Sequence, residues 1–256
     1  MSDLERHLHD FEQNGFFIIP QFFELQQIQG LQQRIDEIML GQAELDYEQI
    51  WMQQDTDSGK YEELSWGGNG FQGATLAYRK IQGLEVDERF RTFITSPVFV
   101  ELCRRVYGPE LPIAAYRTMF MNKAAGQGTW LPWHQDRWTH LDQDPLLTVW
   151  IPLDVASREN GCVQIIKGSH HKGLINPEHS SGFLTEAQAA MHAPAEDVVY
   201  LTAEPGDLVV LHNLLLHASD VNRTAAPRRA LSVCYMDGNT RNIEDSGVSY
   251  PVLFRT

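Results

Sequence analysis

From residue 113 onward the chain reads as short apolar, β-branched stretches cut apart by turn residues, and this rhythm is what most limits its fold. The stretches fall at 113–122, 133–137, 147–153, 163–166, 198–201, 208–212 and 230–236, with Glu159-Asn160-Gly161 and Glu204-Pro205-Gly206-Asp207 among the turns. Many brief strands bounded by Gly, Asn and Pro favour a sandwich or barrel over a parallel sheet with crossover helices. The expectation is a mainly β chain with flanking helices, an α+β arrangement built on a double-stranded β-helix, or jelly-roll, barrel. Strands distant in sequence become neighbours in such a barrel, and its interior is a ready pocket.

The first 110 residues read differently. A short helix at 3–14 leads through Gly15 into the apolar strand 16–19, which Pro20 stops. Over 24–40, Leu25, Ile28, Leu31, Ile35 and Ile38 recur at steps of three or four, one face of an amphipathic helix. A strand is expected at 78–82 and a helix at 87–95. A second helix at 98–107 carries Ser96 as N-cap, Pro97 in the first turn and Gly108 at its end. Between these, residues 43–74 are polar and rich in glycine, and read as either a lid over a binding site or a plain surface insertion. The aromatics Trp51, Tyr61, Trp66 and Phe71 lean that stretch towards substrate contact. The whole chain, 1–256, is expected to form a single domain, with 1–110 a mostly helical scaffold, 111–240 the jelly-roll core and 241–256 a C-terminal tail.

Trp130-Leu131-Pro132-Trp133-His134-Gln135-Asp136 carries the chemistry. On an extended strand i and i+2 share a face, so His134 and Asp136 can reach one metal ion while Gln135 faces away. His217, just past the apolar run 208–211, is the expected third ligand, and two His with one Asp on one side of a metal is the donor set of non-haem Fe(II) oxygenases. His212 is a weaker rival, because His217 has the better forward spacing to Arg228. That arginine opens the strand 230–236 and can point a guanidinium into the barrel, where it would bind a carboxylate bidentately. Its neighbour Arg229 reads as an ordinary surface arginine. Trp150 is expected in the core or as a wall of the same pocket. His170, His171, His179 and His192 lie in polar loop sequence and are expected to face solvent; His140, beside Trp138, is a candidate for substrate contact.

In order and spacing, His134-Gln135-Asp136, Asn160-Gly161-Cys162, Gly168-Ser169-His170, Gly206-Asp207, His217-x-Ser219, Asn222 and Arg228 resemble the phytanoyl-CoA dioxygenase family of Fe(II)- and 2-oxoglutarate-dependent oxygenases. The resemblance extends to Phe11-Glu12-Gln13-Asn14-Gly15-Phe16 and to Met119-Phe120-Met121-Asn122-Lys123, with Lys167 standing where the family usually has proline. It implies that His134, Asp136 and His217 hold Fe(II) and that Arg228 pairs with the distal carboxylate of the co-substrate 2-oxoglutarate. Trp150, Met119, Gln135 and Lys80 align with positions lining the co-substrate pocket, and Ser219 adds a hydroxyl there. Halogenating relatives replace the acid with a small residue, so the presence of Asp136 implies hydroxylation, with release of succinate and CO2.

Composition narrows the partners. A formal net charge of −14, from 34 acidic against 20 basic residues, speaks against a nucleic-acid or anionic-membrane surface. Cys103, Cys162 and Cys234 form no Cys-x-x-Cys pair and suit free thiols in a reducing compartment. With no leader-like N-terminus and no run near about eighteen apolar residues, a cytoplasmic chain without a membrane span is expected, acting on a small molecule and dioxygen. Two other functions fit the same cupin-like barrel: a metal-dependent isomerase or hydrolase, which needs neither Arg228 nor 2-oxoglutarate, and a binding module without turnover.

Overall fold

The computed structural model describes residues 3–56 and 58–256. Met1 and Ser2, at the start of the stretch read for a leader, and Asp57, inside the expected 43–74 loop, lie outside the described residues. In chain order the elements are α1 (Asp3–Asn14), β1 (Phe16–Ile19), α2 (Leu25–Met39), β2 (Trp51–Gln54), β3 (Gly68–Asn69), β4 (Tyr78–Gln82), α3 (Glu88–Ile94), α4 (Pro97–Tyr107), β5 (Pro112–Lys123), β6 (Leu131–His134), β7 (Leu147–Pro152), β8 (Val163–Ile166), α5 (Glu186–His192), β9 (Val198–Leu201), β10 (Leu208–His212), β11 (His217–Ser219), β12 (Arg228–Asp237) and β13 (Val252–Arg255). Short 3-10 turns occur between several of them.

Among the described residues the strands form a nine-stranded sheet, ordered β1-β10-β7-β12-β5-β4-β2-β3 with β13 on β5, and a four-stranded sheet, ordered β6-β11-β8-β9. Every pairing is antiparallel. The two sheets face one another as the jelly-roll barrel. Period-two alternation sorts the large sheet's side chains. Leu147, Val149 and Ile151 of β7 and Leu231, Val233 and Tyr235 of β12 join one apolar core with α1 to α4, through Phe11, Ile35, Phe93 and Phe99. Their alternates, Thr148, Trp150 and Ser232, line a cavity between the sheets.

Local sequence explains the helices. In α2 the predicted stripe of Ile28, Leu31, Ile35 and Ile38 is buried, whereas Leu25 is 59% exposed and starts the helix outside the core. The carboxylate of Asp87 caps α3 by accepting from the N–H groups of Arg89 and Phe90 and also holds Arg34 at 2.7 Å. Pro97 opens α4, but the Ser96 hydroxyl makes no cap bond.

Several expectations need correction. Residues 43–74 are no structureless loop: β2 joins the large sheet beside β4, and β3 extends it. Gln53 and Gln54 hide this strand from any hydrophobic pattern, because Gln53 faces the cavity, where it accepts from Arg79, and Gln54 is exposed. Residues 1–110 carry α1 to α4, and they also give four short strands to the large sheet, of which β2 and β3 were not included in the expected scaffold. The tail 241–256 contains β13, which pairs with the start of β5. The strand expected at 133–137 runs instead from Leu131 to His134, and the three-residue β11 passed unread.

Arg229 is not an idle surface arginine. Its Nε and Nη2 grip both carboxylate oxygens of Asp154 at 2.8 and 2.9 Å, and Nη1 reaches Asp36 of α2 at 2.9 Å. The clamp ties the start of β12 to the end of β7 and to the helical layer, which fixes the backbone beside Arg228. Arg229→Ala is expected to lower unfolding stability by about 1–3 kcal/mol, since charge-assisted bonds with limited solvent access are lost. Urea denaturation followed by circular dichroism measures this, and an unchanged midpoint contradicts the clamp.

Candidate metal centre

Two strands that are remote in sequence create the centre. His217 of β11 is the direct backbone partner of His134 at the end of β6. Their rings lie 4.0 Å apart, centroid to centroid. Asp136 follows two residues past the strand, where the chain has left the sheet and the Asp136 N–H donates to the carbonyl of Asn213 at 2.7 Å. Its Oδ1 lies 3.8 Å from Nε2 of His134 and its Oδ2 lies 3.8 Å from Nε2 of His217. One donor atom from each of the three residues falls within 4.8 Å of the others, a group that could hold a metal ion.

Both imidazoles are oriented for that purpose. Nδ1 of His134 sits 2.8 Å from the carbonyl of Pro132, and Nδ1 of His217 sits 2.9 Å from that of Leu215. A carbonyl only accepts, so each Nδ1 carries the proton and each Nε2 turns a free lone pair to the centre, the tautomer that a metal ligand needs. The Phe183 ring stacks on His134 at 4.7 Å and 10°. Burial, reinforced by nearby His217, pushes the His134 imidazolium down to about 3, so this ring is neutral across the physiological range.

The centre opens into a cavity of about 610 Å³, within the range of about 300–1,000 Å³ usual for small-molecule sites. Arg228, Trp150, Met119, Lys80 and Ser219 all line it, as expected from the sequence. Arg228 is only 2% exposed, and its Nε and Nη1 have no hydrogen-bond partner. Its guanidinium lies 5.6 Å from the Trp150 ring centroid, and the Trp150 indole nitrogen is likewise unpartnered. Burial lowers Arg228 to about 10, which leaves it charged at neutral pH. Burial first, then Arg79 and Arg117, push the Lys80 ammonium well below its usual range, against the pull of Asp136.

Gln135 is the exception. It is fully buried and takes no part in the cavity wall. Its side-chain nitrogen donates to the carbonyls of Gly173 and Leu214, and its oxygen accepts from the N–H of Ile175, each at 2.8 Å. It does face away from the metal donors, as the alternation required, and the aligned pocket role is therefore wrong: the amide staples the motif to two loops. Gly182 covers the same place, with φ +69°, and a Cβ there would stand 2.1 Å from the Gln135 carbonyl oxygen.

The other histidines fall elsewhere. His140 bonds the Tyr116 hydroxyl at 3.1 Å and is not in the cavity wall. His212, the rival third ligand, stacks with Phe11 and His170 instead. His170 and His171 do not simply face solvent, since their Nε2 atoms meet carbonyls of α1 at Glu12 and Gln13.

Sequence reasoning missed Arg79, Arg117 and Phe183 in the wall. The alternation that aims Met119 and Met121 inward also aims Arg117, so a signal for it existed. Nothing comparable marks Arg79, which faces inward beside Lys80 because it is the unpaired extra residue where Gln53 pairs Lys80 and Gln54 pairs Tyr78.

A sequence model of the family described as Phytanoyl-CoA dioxygenase (PhyH) matches residues 11–230. The chain is 25% identical over 255 residues to a probable phytanoyl-CoA dioxygenase of Caenorhabditis elegans, covering 95% of this chain and 78% of that protein. It is 26% identical over 255 residues to the peroxisomal phytanoyl-CoA dioxygenase of Rattus norvegicus, covering 96% and 72%. Among solved structures, EctD from S. alaskensis with 2-oxoglutarate and 5-hydroxyectoine superposes with a TM-score of 0.72 at 19% identity, over 94% of this chain and 78% of that one. None of the helices among the described residues is long and apolar enough to cross a membrane.

Gln135→Leu is expected to leave two carbonyls and one N–H of the neighbouring loops without partners and to cost about 3 kcal/mol. Thermal and urea unfolding measure it. A variant as stable as the parent would return Gln135 to the pocket role.

Proposed function

The chain belongs to the phytanoyl-CoA dioxygenase family, whose members are Fe(II)- and 2-oxoglutarate-dependent oxygenases, and on that premise we propose that it hydroxylates an unactivated carbon of a small organic substrate, releasing succinate and CO2. His134, Asp136 and His217 hold the iron in this reading, and Arg228 binds the distal carboxylate of 2-oxoglutarate. One observation carries it: a buried guanidinium with two unpartnered nitrogens shares a cavity with the His-Asp-His group. Leaving such a charge uncompensated costs several kcal/mol, about 3–5 when one partner of a buried pair is removed, so the site is built to receive an anion. A cupin-type isomerase or hydrolase gives Arg228 no such task.

When bound, Fe(II) supplies the redox chemistry that couples 2-oxoglutarate decarboxylation to C–H oxidation. The residues of this chain do the rest. Arg228 presents a planar fork matched to a carboxylate, and the Trp150 face limits how that fork can tilt. Ser219 and Met119 line the same cavity, while Lys80, its charge weakened by burial, offers a hydrogen bond. The protons held on both Nδ1 atoms keep the imidazoles aimed at the centre. Three free, buried thiols, Cys103, Cys162 and Cys234, support a reducing compartment, the cytoplasm included.

Two measurements test the reading. Adding Fe(II) without oxygen should raise the melting temperature of the parent chain, since a ligand that binds only the folded state stabilises it. His217→Ala should melt near the metal-free parent and lose that shift, and a retained shift argues against this ligand. With Fe(II), ascorbate and 2-oxoglutarate the parent should form succinate. Arg228→Ala should raise the KM for 2-oxoglutarate by about 100-fold, the scale expected when one member of a buried charge pair is removed. An unchanged KM rejects Arg228 as its anchor.

A further inference from the structure

Building on the oxygenase reading above, we propose that the prime substrate is a small organic acid with an apolar body and that Arg117 binds its carboxylate. The inference begins with a bulge. Where β12 pairs β5, Cys234 lies opposite Arg117 and Tyr235 lies opposite Ala115, so Tyr116 has no partner. Ala115 and Tyr235 face the outer core, whereas Tyr116 gathers with Trp138 and Cys234, and Arg117 lines the cavity. Two consecutive side chains therefore share one face, which a regular strand forbids and a bulge provides.

That irregularity gives Arg117 an aromatic seat. The guanidinium carbon lies 5.0 Å from the Tyr116 ring centroid and 4.6 Å from that of Trp138, two rings that are themselves 4.2 Å apart. Such a ring pair holds a cation in place without neutralising it. Among the described residues no carboxylate comes within 4.0 Å of the Arg117 nitrogens, whereas Arg137 has Asp144 at 3.6 Å. The result is a pre-positioned, unneutralised fork facing the cavity.

Arg117 is separate from the co-substrate anchor. Arg228 is the β12 partner of Lys123, six residues further along β5, which puts the two backbones roughly 20 Å apart at the strand rise. Two arginines at opposite ends of one cavity suit two anions. The cavity's electrostatics agree. In a chain of net charge −14 its wall holds Arg79, Lys80, Arg117 and Arg228, and the carboxylates there are Asp136, which faces the imidazoles, and Glu62, which is exposed. Positive potential concentrated in a cleft of an acidic protein selects an anionic ligand. Between the two arginines, Met119 and Met121 of β5 supply apolar wall for the rest of the molecule. A CoA thioester has no free carboxylate to give Arg117, so the free acid is the form assigned.

The test uses the full chain loaded with Fe(II) and 2-oxoglutarate. Straight-chain and phenyl-substituted carboxylic acids are compared with their primary amides and CoA thioesters, reading succinate release and, without oxygen, binding by calorimetry. The expected result is that at least one acid binds and accelerates succinate release while its amide and thioester do neither. Arg117→Gln should then raise the KM for that acid by about thirtyfold with little change in the KM for 2-oxoglutarate, and Arg117→Lys should restore part of the loss. Arg117→Asp should shift preference towards the matching primary amines, a gain that mere misfolding cannot produce. Equal action of amides or thioesters, no response to any acid of the set, or equal changes in both KM values for Arg117→Gln overturns the assignment. The oxygenase reading fails separately: its marks are the Fe(II)-dependent melting shift and the succinate formed by the parent chain without any added acid.

Discussion

The pairing of His217 with His134 is the contact on which the rest of the site depends. It closes β11 onto β6, sets two imidazoles 4.0 Å apart at a tilt of 44° across a strand pair, and leaves Asp136 to approach from the first residues beyond the sheet. Strand geometry alone would have carried Asp136 along β6 on the same face as His134. Instead the chain turns out, held by backbone bonds from Gln135 to Gly182 and from Asp136 to Asn213 and by the Gln135 amide. The carboxylate thus owes its position to loop contacts, and the imidazoles owe theirs to sheet register and to carbonyls two residues upstream. A candidate metal centre made this way takes its histidine side from sheet pairing and its acid side from loops.

Irregular pairing does as much for the cavity as regular pairing does for the core. Along β12 and β7 strict alternation divides the side chains between the helix-covered core and the cavity. Among the described residues the ladder slips by a residue in four places, at Arg79, at Tyr116, between β6 and β11 and between β13 and β5. The first three lie beside the cavity, in keeping with the tendency of bulges to gather next to functional sites. The slip at Arg79 adds a buried cation that bonds Gln53 and lies over Tyr61, and the slip at Tyr116 adds an aromatic face against Arg117. An acidic chain thereby builds a cationic interior, with charges that burial would make costly unless anions are to enter.

Much of this was legible in the sequence. The boundaries of α1, β1, β4, β8, β9 and β10 match their expected ranges, because each is a dense apolar or periodic run bounded by Gly, Pro or polar residues. The jelly-roll barrel and the three candidate metal donors were legible for a similar reason: short strands leave few architectures, and the donor residue types are chemically restricted. β2, β3, β11 and β13 were not legible, since strands of two to four residues flanked by polar sequence carry too little pattern. Gln135 shows the limit of carrying a role across by alignment. The family resemblance suggested a pocket contact, yet three loop groups take both N–H donors and the oxygen of its amide in this chain.

By itself the sequence pointed to the fold class, to a candidate donor set that the structure brings together and to a buried arginine beyond its third member, because residue chemistry and hydrophobic period are local properties. Tertiary structure alone decided that Asp136 leaves its strand, that Arg229 clamps two acids while its neighbour Arg228 has, among the described residues, two unpartnered nitrogens in the cavity, and that Arg117 rests against two rings with no carboxylate of the described residues beside it. Those outcomes depend on register and on which loops meet. Register is set by the summed contacts of whole sheets, and no single stretch of the chain contains that information.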